Sequence, residues 1–141
     1  MIWFTPVNIE QLQQVGKNTM SSHLGIEIVE IGDDFIKAKM PVDERTRQPY
    51  GILHGGASVA LAETIGSYGS HLIIDNTKYQ SVGLEINANH IRKAYSGYVT
   101  GIAKPIHTGK TTHIWGIEIF NENNQLICIS RLTVAIISKK D

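Results

Sequence analysis

Cysteine is almost missing from this chain. Cys128 is the only one among 141 residues, which excludes an intrachain disulfide and fits a reducing compartment, so the cytoplasm is the expected location. An excess of either charge is missing too. Thirteen basic and thirteen acidic side chains give a formal net charge of zero, so no overall field draws the chain to nucleic acid or to an anionic membrane. A polyanionic ligand would need a local basic site. Long apolar runs are absent: no window holds 18 uninterrupted apolar residues, and "MIWFTPVNIEQLQQ" has no basic region followed by an apolar stretch. Neither a spanning helix nor a signal peptide is therefore visible. The six histidines form no His-x-x-x-His pair on a helix and meet no cysteine cluster, so no metal is expected. With 42% hydrophobic and 18% charged residues, the chain suits a single domain over 1–141 with a sizeable core.

What is present has a clear order. "NIEQLQQVG" offers Asn8 as an N-cap, an apolar face of Ile9, Leu12 and Val15, and Gly16 as a stop, which predicts a short helix. Alternation on both sides of Gly32-Asp33-Asp34 predicts a hairpin with strands at about 24–31 and 35–41. "DERTRQPYG" reads as a loop. From Gly55 to about Leu72 the residues are small or apolar on nearly every side, as in a buried helix. "YQSVGLEINANHI", "GYVTGIAKPIH", "THIWGIEIF" and "QLICISRLTVAII" then read as strands, the last two joined by a turn at Asn121 to Asn124. Two strands, one long helix and four more strands make an α+β pattern, with an antiparallel sheet wrapped around the central helix.

Two motif fragments fail. "HTGKTT" at 107–112 ends like a phosphate-binding loop, but Lys104 stands where the first glycine is needed and a strand follows where a helix is required. "GASVA" at 56–60 has Ala60 in place of the last glycine of a nucleophile elbow, in a chain too short for the fold that the elbow serves. Glu63 is harder to set aside. Positions 59 to 62 and 65 around it are apolar, which predicts a desolvated carboxylate with a raised pKa unless a partner or ligand compensates. At the helix entrance, His54-Gly55-Gly56 would present free backbone N–H groups and the positive end of the helix dipole to an oxyanion or a polarised carbonyl. Eight residues separate Gly55 from Glu63, about 12 Å along the axis, whereas both groups must come within about 3 to 3.5 Å of one carbonyl to act together. If they cooperate, Gly55 of one subunit must face Glu63 of another, and a two-fold dimer would contain the arrangement twice.

"RTRQPYGILHGGASVALAETIGS", "VGLEINANHIRKAYSG" and "KPIHTGK" closely resemble the hotdog-fold acyl-CoA thioesterases, in particular the bacterial branch that hydrolyses 1,4-dihydroxy-2-naphthoyl-CoA in menaquinone biosynthesis and related aryl thioesters. The similarity runs from residue 1 to about 137. The resemblance implies that the Gly55 N–H polarises the thioester carbonyl while Glu63 of the partner subunit acts as nucleophile or as general base toward water. It also implies that Gln48 and His54 orient the thioester and water, and that Ser67, one turn beyond Glu63, positions the acid or the acyl group. Coenzyme A is then expected at two segments: Val82, Gly83 and Asn89, His90, Ile91 and Arg92, followed by His107, Thr108, Gly109 and Lys110. Arg92 and Lys110 would meet phosphates as a guanidinium fork and a mobile ammonium. No separate cofactor is implied, since coenzyme A is part of the substrate. The resemblance further implies a homo-oligomer, a dimer with shared active sites assembled into a tetramer. A proofreading thioesterase acting on a misacylated acyl carrier protein, or a non-catalytic acyl-CoA-binding domain, are the alternative readings. A hotdog dehydratase fits less well, because no acid stands paired with His54 for proton transfer.

Overall fold

Glycine and alanine at one face of the long helix let a sheet close on it at short range. In the computed structural model, which describes residues 1–140, the elements run α1 (Ile9–Val15), α2 (Met20–His23), β1 (Glu27–Ile31), β2 (Ile36–Pro41), α3 (Gly55–Ile73), β3 (Tyr79–His90), β4 (Tyr98–Thr108), β5 (Thr112–Phe120) and β6 (Leu126–Ser138). The six strands form one sheet in the order β1-β2-β4-β5-β6-β3, with every neighbouring pair antiparallel. This is the hotdog arrangement, with α3 on the concave face. A side chain at Gly69 would run into the Trp115 ring, since a Cβ there would lie 2.3 Å from it; at Gly66 it would meet Leu132 at 2.7 Å. Bare backbone at these two positions is what admits the indole and the leucine. Leu61, Ile65, Trp115, Ile117, Ile119 and Leu132 are all inaccessible to solvent. They fill the space between helix and sheet.

The predicted elements differ little from the observed ones. α1 starts at Asn8, whose side chain accepts from the Gln11 N–H. β5 spans 112–120, and the first hairpin turns where Gly32 N–H donates to the Phe35 carbonyl. The single turn α2 has no counterpart in the sequence reading. Pro105 lies in β4, between two other strands, and the ladder breaks there into a bulge between Pro105 and His107, because proline has no N–H to give.

One expectation is corrected. The helix is not covered on most sides: its buried residues are Ala57, Ser58, Leu61, Ala62, Ile65, Gly66, Gly69, Ser70 and Leu72, the stripe that faces the sheet. Ala60, Thr64, Ser67 and Tyr68 are only half-buried, and Glu63 between them is exposed. Small apolar residues on that second face are open in the single chain. β3 shares this openness. It is paired to β6 along one edge only, and Val82 and Leu84 are 45% and 63% exposed.

Candidate active site

The entrance of α3 satisfies its own backbone almost completely. His54 is the N-cap residue in place of the usual serine, aspartate or asparagine. Its Nδ1 accepts the Gly56 N–H at 2.7 Å, and its carbonyl takes the N–H groups of Ala57 and Ser58 at 3.0 and 3.3 Å. Among the described residues nothing accepts from Gly55. Three of the first four helical donors are thus used, and the remaining one stands at the positive end of the helix dipole, where it can donate to a carbonyl oxygen that gains charge. Since Nδ1 accepts from a fixed backbone donor, the proton of the neutral His54 ring sits on Nε2, which can donate outward.

The loop before the helix is pinned from below. Thr46 is 1% exposed; its hydroxyl donates to the Pro41 carbonyl at 2.7 Å, and its own carbonyl accepts from His54 N–H at 2.7 Å. Gln48 rides on this loop, its Oε1 accepting from the Tyr50 N–H and its backbone N–H donating to the Ile52 carbonyl. With Oε1 engaged, the free polar group of Gln48 is its amide NH2, a pair of donors. Gln48, Ile52, Gly55, Ser58, His90 and Arg92 line a cleft of about 370 Å³. The His90 ring lies directly on Gly55: a Cβ at that glycine would meet Nε2 at 2.7 Å. Arg92 donates to the Leu126 carbonyl at 2.9 Å, so one guanidinium nitrogen is held by the sheet end while the side chain stays exposed.

Glu63 belongs to a second cluster. Its carboxylate lies beside Gly83, where a Cβ would be 2.9 Å from Oε1. Thr19, Met20, Ala60, Thr64, Ser67 and Tyr68 complete a groove of about 320 Å³ around it. The buried placement expected from its apolar neighbours does not occur within one chain, because of those neighbours only Leu61, Ala62 and Ile65 are buried, while Glu63 lies with Ala60 on the open face beside the edge strand β3. Val82 and Gly83 therefore lie with Glu63, not with His90, Ile91 and Arg92.

The other expected segment, His107 to Lys110, lies on the same side of the chain as this second cluster. Val82 is opposite Ala135, and Ala135 is opposite Thr112, so the β4–β5 turn lies two strands from Val82, about 10 Å away at ordinary strand spacing. His107 pairs with Ile114 and Thr108 with His113, and the Gly109 N–H donates to the Thr112 carbonyl at 2.9 Å. Lys110 at the tip is exposed and has no carboxylate partner among the described residues. The expected residues therefore fall into two separate groups within one chain. Gln48, His54, Gly55, Asn89, His90, Ile91 and Arg92 mark one end, and Glu63, Ser67, Val82, Gly83 and the turn His107 to Lys110 mark the other. The cleft position of Ser58, the Thr46 anchor and the contact of His90 with Gly55 were missed by sequence reasoning, and no local pattern signals them.

No group of three or more potential metal ligands occurs among the described residues, and no helix is long and apolar enough to cross a membrane.

Comparison with known proteins extends these observations. The thioesterase superfamily profile matches residues 50–128. A 1,4-dihydroxy-2-naphthoyl-CoA hydrolase of Escherichia coli is 50% identical, over 97% of this chain and 100% of the relative. The proofreading thioesterase EntH of Cronobacter turicensis is 44% identical over 96% of this chain and 98% of its own. Among solved structures, a mutant thioesterase of Pseudomonas aeruginosa superposes with a TM-score of 0.97 at 45% identity, covering 99% of this chain and 100% of that one. A thioesterase of Haemophilus influenzae gives 0.95 at 51% identity, covering 98% and 96%.

Proposed function

Given that the chain belongs to the thioesterase superfamily and is a thioester hydrolase, we propose that it cleaves aromatic acyl-CoA esters, of the 1,4-dihydroxy-2-naphthoyl type, at sites each built by two copies of the chain. The observation that carries the two-copy site is the division of the site residues into two separate clusters, one at the entrance of α3 and one around Glu63 farther along it. The Gly55 N–H, left without an acceptor, receives the thioester carbonyl and stabilises the charge that grows on its oxygen. Glu63 of the second copy supplies the carboxylate. It either takes a proton from water, whose oxygen then adds to the acyl carbon, or attacks that carbon itself to give an acyl-enzyme that water hydrolyses. In both routes the C–S bond breaks and the coenzyme A thiolate leaves and takes up a proton. The Gln48 amide and the Nε2–H of His54 orient the thioester and the water, and Ser67 supports the acid. Neither a metal nor an organic cofactor is needed for this, because the Gly55 N–H and the helix dipole polarise the carbonyl.

The free edge of β3 supports the two-chain site. Antiparallel pairing of two such edges would run the Asn89–His90 end of one chain alongside the end of the other that leads to Val82 and Gly83. The carbonyl-binding end of each protomer would then meet the carboxylate end of its partner, and Arg92 would share one coenzyme A with the partner's Lys110. We place this homo-oligomer, a dimer or a pair of dimers, in the cytoplasm.

The test is a thiol-release assay with benzoyl-CoA, 1,4-dihydroxy-2-naphthoyl-CoA and a medium-chain aliphatic acyl-CoA. Glu63→Gln should lower kcat by about 10² or more and leave KM nearly unchanged, and an aryl ester should be preferred. Unchanged kcat would remove Glu63 from the mechanism, and a preference for the aliphatic ester would overturn the aryl reading. The likeness to EntH favours one second reading, release of a misloaded aryl group from an acyl carrier protein. Hydrolysis of an aryl-loaded carrier with kcat/KM above that of the aryl-CoA would establish it.

A further inference from the structure

One buried polar cluster takes no part in the chemistry described so far. Ser70, His113 and Trp115 are 0%, 2% and 0% exposed, at the far end of α3 from Gly55. The Trp115 Nε1–H donates to Ser70 Oγ at 2.8 Å, and Ser70 Oγ lies 3.0 Å from His113 Nδ1. An indole N–H only donates, so Ser70 Oγ accepts it and shares its second hydrogen bond with His113 Nδ1. The Gly109 backbone also acts on the ring, and Gly109 follows Thr108, the residue paired with His113 across the ladder. Burial holds the imidazole neutral, pushing its pKa down against the pull of Gly109, and His107 is the titratable neighbour acting on it. His113 stands directly opposite Thr108, at the base of the turn that carries Lys110.

A cluster of three polar groups in the core gains little net stability over apolar packing of the same shape. What it supplies is position. An exposed two-stranded turn is otherwise among the first parts of a fold to open, whereas this one is fixed from beneath to the long helix. We propose that His113 is a positioning residue, a strut between Ser70 of α3 and the base of the turn at Thr108, which holds the turn so that Lys110 meets the nucleotide phosphates of coenzyme A. The role rests on the reading of Lys110 as a phosphate contact, and its test separates the two.

KM and kcat are measured for one acyl group carried on coenzyme A and on pantetheine, which has no nucleotide. His113→Phe should raise KM for the CoA ester about five-fold, the worth of roughly one hydrogen bond, with kcat and the pantetheine KM unchanged. His113→Gln, whose amide can bond to Ser70 Oγ in place of the ring, should restore most of the loss. In the same variants, amide exchange at Gly109 should quicken in His113→Phe and return toward wild type in His113→Gln. Ser70→Ala, which leaves the ring in place, should show a smaller KM shift of the same kind and keeps the test available if His113→Phe does not fold. Unchanged Gly109 exchange, or KM rising equally for both esters, would overturn the strut. If Lys110→Ala affected both esters equally, the phosphate reading would fall instead, even with exchange responding as expected.

Discussion

Gly83 fixes where the Glu63 carboxylate can rest. A methyl group there would lie 2.9 Å from Oε1, and the carboxylate is the movable partner, so Gly83→Ala should displace the acid at little expense to the fold. Misplacement by about 1 Å can cost on the order of 10² in rate. We expect kcat to fall at least ten-fold on this ground while the urea midpoint stays put; a wild-type kcat would show that the acid tolerates the shift. His113 gives a different signature. Its folded pKa lies below the ordinary 6.5 through burial, so on acidification the unfolded chain binds the proton first. The stability contributed by the neutral ring is complete above about 6.5 and is lost as pH falls from there through the lower folded value. The His113→Gln urea midpoint should therefore fall less than that of wild type between neutral pH and pH 5, with His107 as the neighbouring group whose own titration must be matched by a His107→Gln control.

The closeness of helix to sheet is a property of whole elements, and it depends on missing side chains. Gly69→Ala would push a methyl into the Trp115 ring, 2.3 Å away. Alanine gains about 1 kcal/mol of helix propensity over glycine, and overpacking costs about 1 to 3 kcal/mol. With fully buried backbone and indole unable to yield, we expect a net loss, read as a lowered urea midpoint; a gain would mean that α3 can lift from β5. The elements were legible in the sequence because each has a local cause. Asn8 caps α1, alternation in "THIWGIEIF" places β5, and the glycine and alanine run of α3 announced a close-packed helix. α2 was not legible, since its four residues have no periodicity and Thr19 makes no side-chain cap hydrogen bond. The exposure of Glu63 escaped as well. Apolar periodicity tells which residues shun water but not whether their own chain covers them, and the face around Ala60 and Ser67 is left open by this one. The candidate site divides in the same way: residue types and the helix entrance could be read, whereas the His54 cap and the His90 contact depend on rotamers and on chain segments distant in sequence.

At the scale of the molecule, the proposed two-copy site would make activity a property of the pair. Glu63→Gln chains and Gly55→Val chains should each be inactive. Mixed after denaturation and refolded together, they should recover part of the wild-type rate, because one site in each hybrid dimer is intact. No recovery in a verified hybrid would contradict the shared site. The strand that would join the two chains also has an unusual place in the sheet. β3 precedes β4, β5 and β6 in the chain, yet its one partner within the protomer is β6, with Tyr79 opposite Ser138. During synthesis β3 must leave the ribosome and wait, with Val82 and Leu84 uncovered, until the strand that anchors it has been made. The free edge of β3 is thus completed last, and a nascent chain stalled before β6 would carry Glu63 but no fixed edge on which the proposed second copy could assemble.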